Sequence, residues 1–527
     1  MKRLTALLCI YCFASNLFAQ DVLATFKNKV DDTNLSIKEV IPVINQRNND
    51  LCFFVLNSKN VYGYLLNENF EIEKSLSSED RRRKYKTLIG YGIIDKFNYD
   101  IILTNTNKTK FATVNFSFNT GTSELKEFEL DNPQEKFIQT VTINNICYLI
   151  AIARDSNSLK FYKLDGLNPP KSNQIDFSDE HFIDRKGGKT KLYTLFKVTS
   201  SGTITEADTP KIDYDLPNTV EVVSEEKKIY VRDHKIVFTF DINKDLIQII
   251  TIHPEDFSYT FKTHSKNVLE IDQPTKKSNS FLGKDALYTL EVSKDSLGFQ
   301  ATNYHSNEVI KQIRINKNDS ITFKNTSIVQ EGGVYDKYRE LESTQKLLRK
   351  LRLADLGISV YKPQDQYEIT IGSKKEMKTT SPMLTPMGNF GAIPIASLGS
   401  VNMFFNPTLF AYYNYNGTRS VYVKSLFDKD FNHIKGEISK NIFDLVKDYT
   451  ENRKEYINQY KIPKNQPGSD IFSDKNNLII NGFNKDAETI FKYKSYLIFG
   501  EYHIKSKTYI LRQFKPATSG KENHIVN

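Results

Sequence analysis

Few residues in this sequence stand at the spacings that chemistry requires. Asp241-Ile-Asn243-Lys-Asp245 has the alternating oxygen donors that open a calcium-binding loop. Such a loop needs glycine at its sixth position and glutamate at its twelfth, and the chain has Leu246 and Ile252 there, so the motif predicts a turn between strands. Gly188-Lys189-Thr190 matches the end of a phosphate-binding loop, but Ile183 stands where the earlier glycine belongs, which predicts a basic loop. Ile395-Ala396-Ser397-Leu398-Gly399 lacks the first glycine of a nucleophile elbow. The eight histidines are scattered, with no HExxH pattern, so no metal site and no cofactor are expected from spacing. Asp295-Ser296-Leu297 and Asp319-Ser320-Ile321 match a short O-glycosylation pattern of some bacterial envelopes, yet the same residue types commonly fold turns. The 63 acidic residues could supply the acid and base of a hydrolase or lyase, but no spacing singles out a pair.

One stretch stands apart by what it lacks. From Thr379 to Thr418 forty residues pass without Asp, Glu, Lys, Arg or His, although the chain as a whole is 26% charged. Four prolines and four glycines in the stretch exclude a membrane helix. Its rings and thioethers nominate a binding surface at Phe390, Met403, Phe404, Phe405, Phe410, Tyr412 and Tyr413, suited to an envelope protein, a lipid or a hydrophobic ligand. The competing reading is a buried crossing between the repeats and the C-terminal helical part. The densest positive cluster, Arg81 to Lys86, reads as a solvated loop or an anion contact.

The elements that must hold these residues are strands. An apolar run, a polar turn and a second run with period-two alternation recur, opening near Leu51, Ile101, Ile146, Leu192, Ile229, Leu287, Ile358, Leu409 and Tyr496. Pleated surfaces suit flat rings, which accounts for 35 Phe and 29 Tyr in a chain without Trp. A period of about 40 to 55 residues built from short antiparallel strands predicts an all-β fold, a β-propeller of about seven or eight blades. Tandem β-sandwich domains are the alternative. Residues 20–330 form the repeated β-hairpin region. Residues 331–527 continue it, with helical insertions near 336–353 and 438–460, where apolar residues follow helical spacing.

The first 19 residues read as a cleaved secretory signal peptide, with Lys2 and Arg3 ahead of an apolar run from Leu4 to Phe13. That places the mature chain in the periplasm or outside the cell, with an association at the outer-membrane surface as one option. No later run is long and apolar enough for a transmembrane helix. The two remaining cysteines, Cys52 and Cys147, occupy equivalent positions of repeats with another repeat between them, which predicts two buried thiols and no disulfide. The formal charge of +9 falls to +7 without Lys2 and Arg3, too little over this length to imply a nucleic-acid partner. Taken together, the residues predict an exported, non-catalytic binding or scaffold protein of the bacterial cell envelope; the alternative is an extracytoplasmic hydrolase or lyase with its site at the propeller axis.

Overall fold

Strand after strand pairs with its neighbour in sequence. In a computed structural model of the chain, residues 22–27, 39–57, 60–78, 84–85, 87–197, 209–269, 276–331, 338–363, 365–375, 406–409, 419–459, 479–480, 483–503 and 506–515 are described. Among them are seven sheets of four or five strands. The first is a meander of Glu39–Ile44, Leu51–Leu56, Val61–Leu66 and Ile72–Ser78. The second (Thr87–Ile93 through Thr122–Phe128), third (Glu135–Ile143 through Lys171–Asp176) and fifth (Lys277–Leu282 through Val309–Asn316) repeat that order. The fourth does so too, from Lys227–Arg232 to Tyr259–Ser265, with Lys211–Ile212 added in parallel at its edge. One antiparallel meander per sheet, repeated along the chain, is the architecture of a β-propeller, and a sandwich would exchange strands between sheets.

The repeat count follows from two corrections to the hairpin pattern. Leu192 opens a short helix, α1 (Leu192–Lys197), whose Leu192, Tyr193, Leu195 and Phe196 are all buried, and residues 407–409 are also helical. The other seven apolar runs are strands of seven different sheets. A second short helix, α2 (Val220–Val223), lies between the two parallel strands of the fourth sheet.

The sixth sheet departs from simple order. Its strands run Tyr338–Leu341, Ile328–Glu331, Arg419–Phe427, Tyr367–Lys375 and Asp355–Tyr361. Lys375 pairs directly with Arg419, so the strands on either side of the uncharged stretch are antiparallel neighbours. The helix expected over 336–353 is shorter. Tyr338–Leu341 is an edge strand, and α3 starts at Thr344 because the Ser343 hydroxyl accepts from the Lys346 backbone N–H as an N-cap. A longer helix, α4, spans Ile442–Gln459.

The chain divides into two compact units. One comprises Met1–Arg81, Thr120–Thr122 and Lys440–Asn527; the other comprises Arg82–Asn119 and Ser123–Ser439. In the first, the seventh sheet joins both ends of the chain, with Val22–Lys27 pairing antiparallel to Thr508–Phe514. Phe26 from the early strand packs against Tyr509 and Tyr64, in a core with Phe53, Phe491 and Leu511. In the second unit, two core clusters run through the inward-facing rings and aliphatics of the third to sixth sheets, including Phe161, Phe238, Phe299, Ile358 and Val423. Each such side chain contributes about 1.5–3 kcal/mol when fully withdrawn from water.

Cys52 and Cys147 sit on the second strands of the first and third sheets, and both are buried free thiols. Burial pushes the Cys147 thiol up to about 12, which makes it a small hydrophobe and a poor nucleophile.

A basic cleft between the fifth sheet and helix α3

The described residues converge on a cleft in the second unit. Helix α3 turns Leu347, Leu348 and Leu351 inward, the i, i+1, i+4 stripe of an amphipathic helix. That leaves Lys346, Arg349 and Arg352, spaced three apart, along one adjacent face. Opposite them stand Lys294, in the turn between two strands of the fifth sheet, and Lys317, just past that sheet's last strand. Five cations and Gln345 line a cavity of about 360 Å³, and Leu348 contributes its apolar surface to the wall.

Local bonds fix these cations. The Ser293 hydroxyl accepts from the Asp295 and Ser296 backbone N–H groups, closing the turn that presents Lys294. The Lys317 backbone donates to the Asp295 carbonyl at 2.8 Å, and its ammonium meets the Asp295 carboxylate at 2.6 Å. The Thr344 hydroxyl donates to the Asp319 carbonyl at 2.5 Å, tying the start of α3 to the chain that leaves the fifth sheet. Basic residues in the last turn of α3 also complement the helix dipole, which favours the helix whatever binds there.

Charge in the cleft is unbalanced. Asp295 pairs with Lys317, and Glu342 pairs with Lys346 at 2.5 Å. Among the described residues Lys294, Arg349 and Arg352 make no direct ion pair, and the five cations of the cleft face only the nearby carboxylates Asp295 and Glu342. The Lys317 ammonium, with Lys294 and Arg352 adding their fields, holds the Asp295 carboxyl below the usual carboxylate range. An anion-binding cleft is what such an arrangement can be chemically; Arg forks match the paired oxygens of phosphate or carboxylate.

The residues singled out by sequence fall elsewhere. Phe390, Met403, Phe404, Phe405, Phe410, Tyr412 and Tyr413 lie outside the described residues, as does the Ile395–Gly399 motif. Of the uncharged stretch only Asn406 to Leu409 is described, and Asn406, Thr408 and Leu409 are buried. Asp241 carries no exposed surface and binds two lysine ammoniums, Lys228 at 2.9 Å and Lys266 at 3.1 Å, while Asn243 folds a turn by accepting from the Asp245 N–H. The Gly188 backbone N–H donates to Asp184, whose carboxylate also takes the Lys186 N–H, so these donors close a hairpin turn between Phe182–Ile183 and Lys189–Thr190. Ser296 is buried against Ser293, and Asp319 accepts from Asn316, so both Asp-Ser motifs fold turns. From the Arg81–Lys86 cluster, the described Lys84 pairs with Glu127. Sequence reading passed over the cleft because its cations come from three separate segments; the one local signal was the run of Lys and Arg opposite Leu347, Leu348 and Leu351.

Asp100 is a buried carboxyl of the second sheet. Burial pushes it up to about 6, against the opposing hydrogen bonds from the Asn115 amide at 2.7 Å and the Gly166 N–H at 2.9 Å. Asp165 adds to the rise. Both oxygens are thereby committed to structural donors within the unit.

No family model matches the chain, and no curated protein matches its sequence. Among solved structures it is similar to one from a study of two prolyl endopeptidases, at 9% identity and a TM-score of 0.32, over 65% of this chain and 41% of that one. Dipeptidyl peptidase 4 of Porphyromonas gingivalis gives 9% identity and 0.29, over 63% and 50%. The Dos1 propeller gives 8% and 0.28, over 67% and 72%. The chain thus spans half or less of the two peptidase structures. The class defined here is an all-β propeller carrying a cationic cleft on its second unit.

Proposed function

We propose that the protein is an exported, non-catalytic binding or scaffold protein of the bacterial cell envelope that takes an anionic partner in the cleft between the fifth sheet and α3. The observation that carries this reading is the set of three cations, Lys294, Arg349 and Arg352, that make no direct ion pair among the described residues and are held on two braced elements around one cavity. Charge of one sign focused in a concave site raises the local concentration of an oppositely charged partner and speeds its arrival. Among the described residues no helix is long and apolar enough to cross a membrane. The competing reading, an extracytoplasmic hydrolase or lyase, draws on the raised carboxyl of Asp100.

The test is retention of the mature chain on immobilised heparin across a salt gradient. The triple variant Lys294→Ala, Arg349→Ala, Arg352→Ala is expected to elute at lower salt with an unchanged thermal transition, since Lys294 and Arg349 are exposed and Arg352 partly so. Equal elution of variant and wild type would sink the proposal.

A further inference from the structure

The two Asp-Ser-apolar copies in the chain end in opposite surroundings. Ser296 begins the third strand of the fifth sheet and is buried, with its hydroxyl 2.9 Å from that of Ser293 inside the turn that presents Lys294. Leu297, which follows it, belongs to the core. A sugar on Ser296 would break that hydroxyl pair and draw its own hydroxyls out of water into a close-packed interior.

Ser320 differs on each point. It lies in the loop after Val309–Asn316, the last strand of the fifth sheet, and it is exposed. Among the described residues its hydroxyl meets no hydrogen-bond partner. Its neighbours, by contrast, are anchored. The Asp319 carboxylate accepts from the Asn316 backbone N–H and side-chain amide, both at 2.9 Å, and the Asp319 carbonyl accepts from the Thr344 hydroxyl at the start of α3. On the other side, Ile321 is buried in the core of the second unit. The loop thus holds one serine hydroxyl in solvent between two fixed residues.

We infer that Ser320 is an O-glycosylation site and that Ser296 is not. The donor class is a glycan carried on a lipid diphosphate, the activated form open to a chain that has left the cytoplasm, and a separate glycosyltransferase supplies the catalysis. The Ser320 Oγ attacks the anomeric carbon of the glycan. The Oγ–carbon bond forms as the bond from that carbon to the phosphate oxygen breaks; the lipid diphosphate leaves with the electron pair, and the hydroxyl proton passes to a base of the transferase. At Ser320 the attached sugars stay in water, where a bulky polar group suits the surface. This inference uses the exported reading and does not depend on the cationic cleft.

Peptide mapping by mass spectrometry of the mature chain, isolated from its native host, tests it. The tryptic peptide Asn318–Lys324 is expected to carry a mass increment made of sugar residues, and Asp295–Lys311, which contains Ser296, to carry none. Alkaline β-elimination is expected to release the sugars and leave dehydroalanine at position 320. Ser320→Ala is expected to lose the whole increment with an unchanged thermal transition, and Ser320→Thr to keep it. An exported chain whose Asn318–Lys324 peptide is unmodified overturns the inference. So does an increment that survives base and disappears in Asn318→Gln, since Asn318-Asp319-Ser320 also has the form of an N-linked acceptor. A chain found in the cytoplasm with residues 1–19 still attached overturns the exported reading as well, because the lipid-linked donor is then out of reach.

Discussion

At Asp241 a carboxylate without solvent contact is kept charged, and at Asp100 a comparably buried one is kept partly neutral; the difference lies in their partners. Burial alone would raise Asp241, but the ammoniums of Lys228 and Lys266 outweigh it and hold its pKa at about 2. Asp100 has only neutral donors, Asn115 and Gly166, and burial prevails. The two therefore act on stability in different pH windows. Asp241, depressed, contributes stability that is present above its unfolded pKa near 4 and is lost as pH falls toward 2. Asp100, raised, makes the folded state bind the proton more tightly than the unfolded chain, so stability declines as pH rises from about 4 to about 6. That decline amounts to about 3 kcal/mol for a two-unit shift. Asp100→Asn removes the titrating group, and urea unfolding at several pH values between 4 and 6 is expected to show a flatter slope than wild type. An unchanged slope would place the titration elsewhere. Nothing in the sequence separated these two aspartates, because Lys228 and Lys266 reach Asp241 only once the strands of the fourth sheet are aligned.

Helix α3 is the element through which packing and the cleft are joined. Its N-cap Ser343 and the Thr344 bond to Asp319 set where the helix starts, and hence which way Lys346, Arg349 and Arg352 face. Ser343→Ala is expected to cost about 1 kcal/mol of stability by leaving a helix N–H unmet. It should also weaken heparin retention while no cation is lost; a stability change with retention untouched would show that the cap does not position the cleft. Close packing elsewhere depends on glycine. A Cβ on Gly372 would stand 2.7 Å from the Val421 carbonyl and 2.7 Å from Val220 of α2, and the backbone partner cannot rotate away. Gly372→Ala is therefore expected to destabilise by about 1–3 kcal/mol in thermal unfolding, and a neutral result would mean that α2 can shift. Element types were legible where periodicity was clean. Leu51–Leu56 and Ile146–Ala153 are short apolar runs bounded by turns, and both are strands. At Leu192 the same apolar density misled, because Leu192, Tyr193, Leu195 and Phe196 bury one side of a helical turn as readily as a strand.

Over the whole molecule, the propeller class was readable from repetition alone, since among the described residues the same four-strand meander returns in each of the first five sheets. What could not be read was the junction of the chain's ends. Val22–Lys27 precedes its partner Thr508–Phe514 by almost the full sequence, and no local pattern announces such a pairing. Its loss should matter: a chain starting after Lys27 would bare the edge of Thr508–Phe514 and remove Phe26 from the rings of Tyr64, Phe53 and Tyr509. Such a truncation is expected to lower the melting temperature of the first unit and to promote aggregation seen by light scattering; a monodisperse, equally stable product would show the strand to be dispensable. The same pairing also sets a timetable. At about 5–20 residues per second, the ribosome delivers the partner of the first strand roughly 25–100 s after the strand itself. Throughout that interval Val22–Lys27 is a lone apolar strand with an open edge, and whatever holds the growing chain must keep it from pairing with something else.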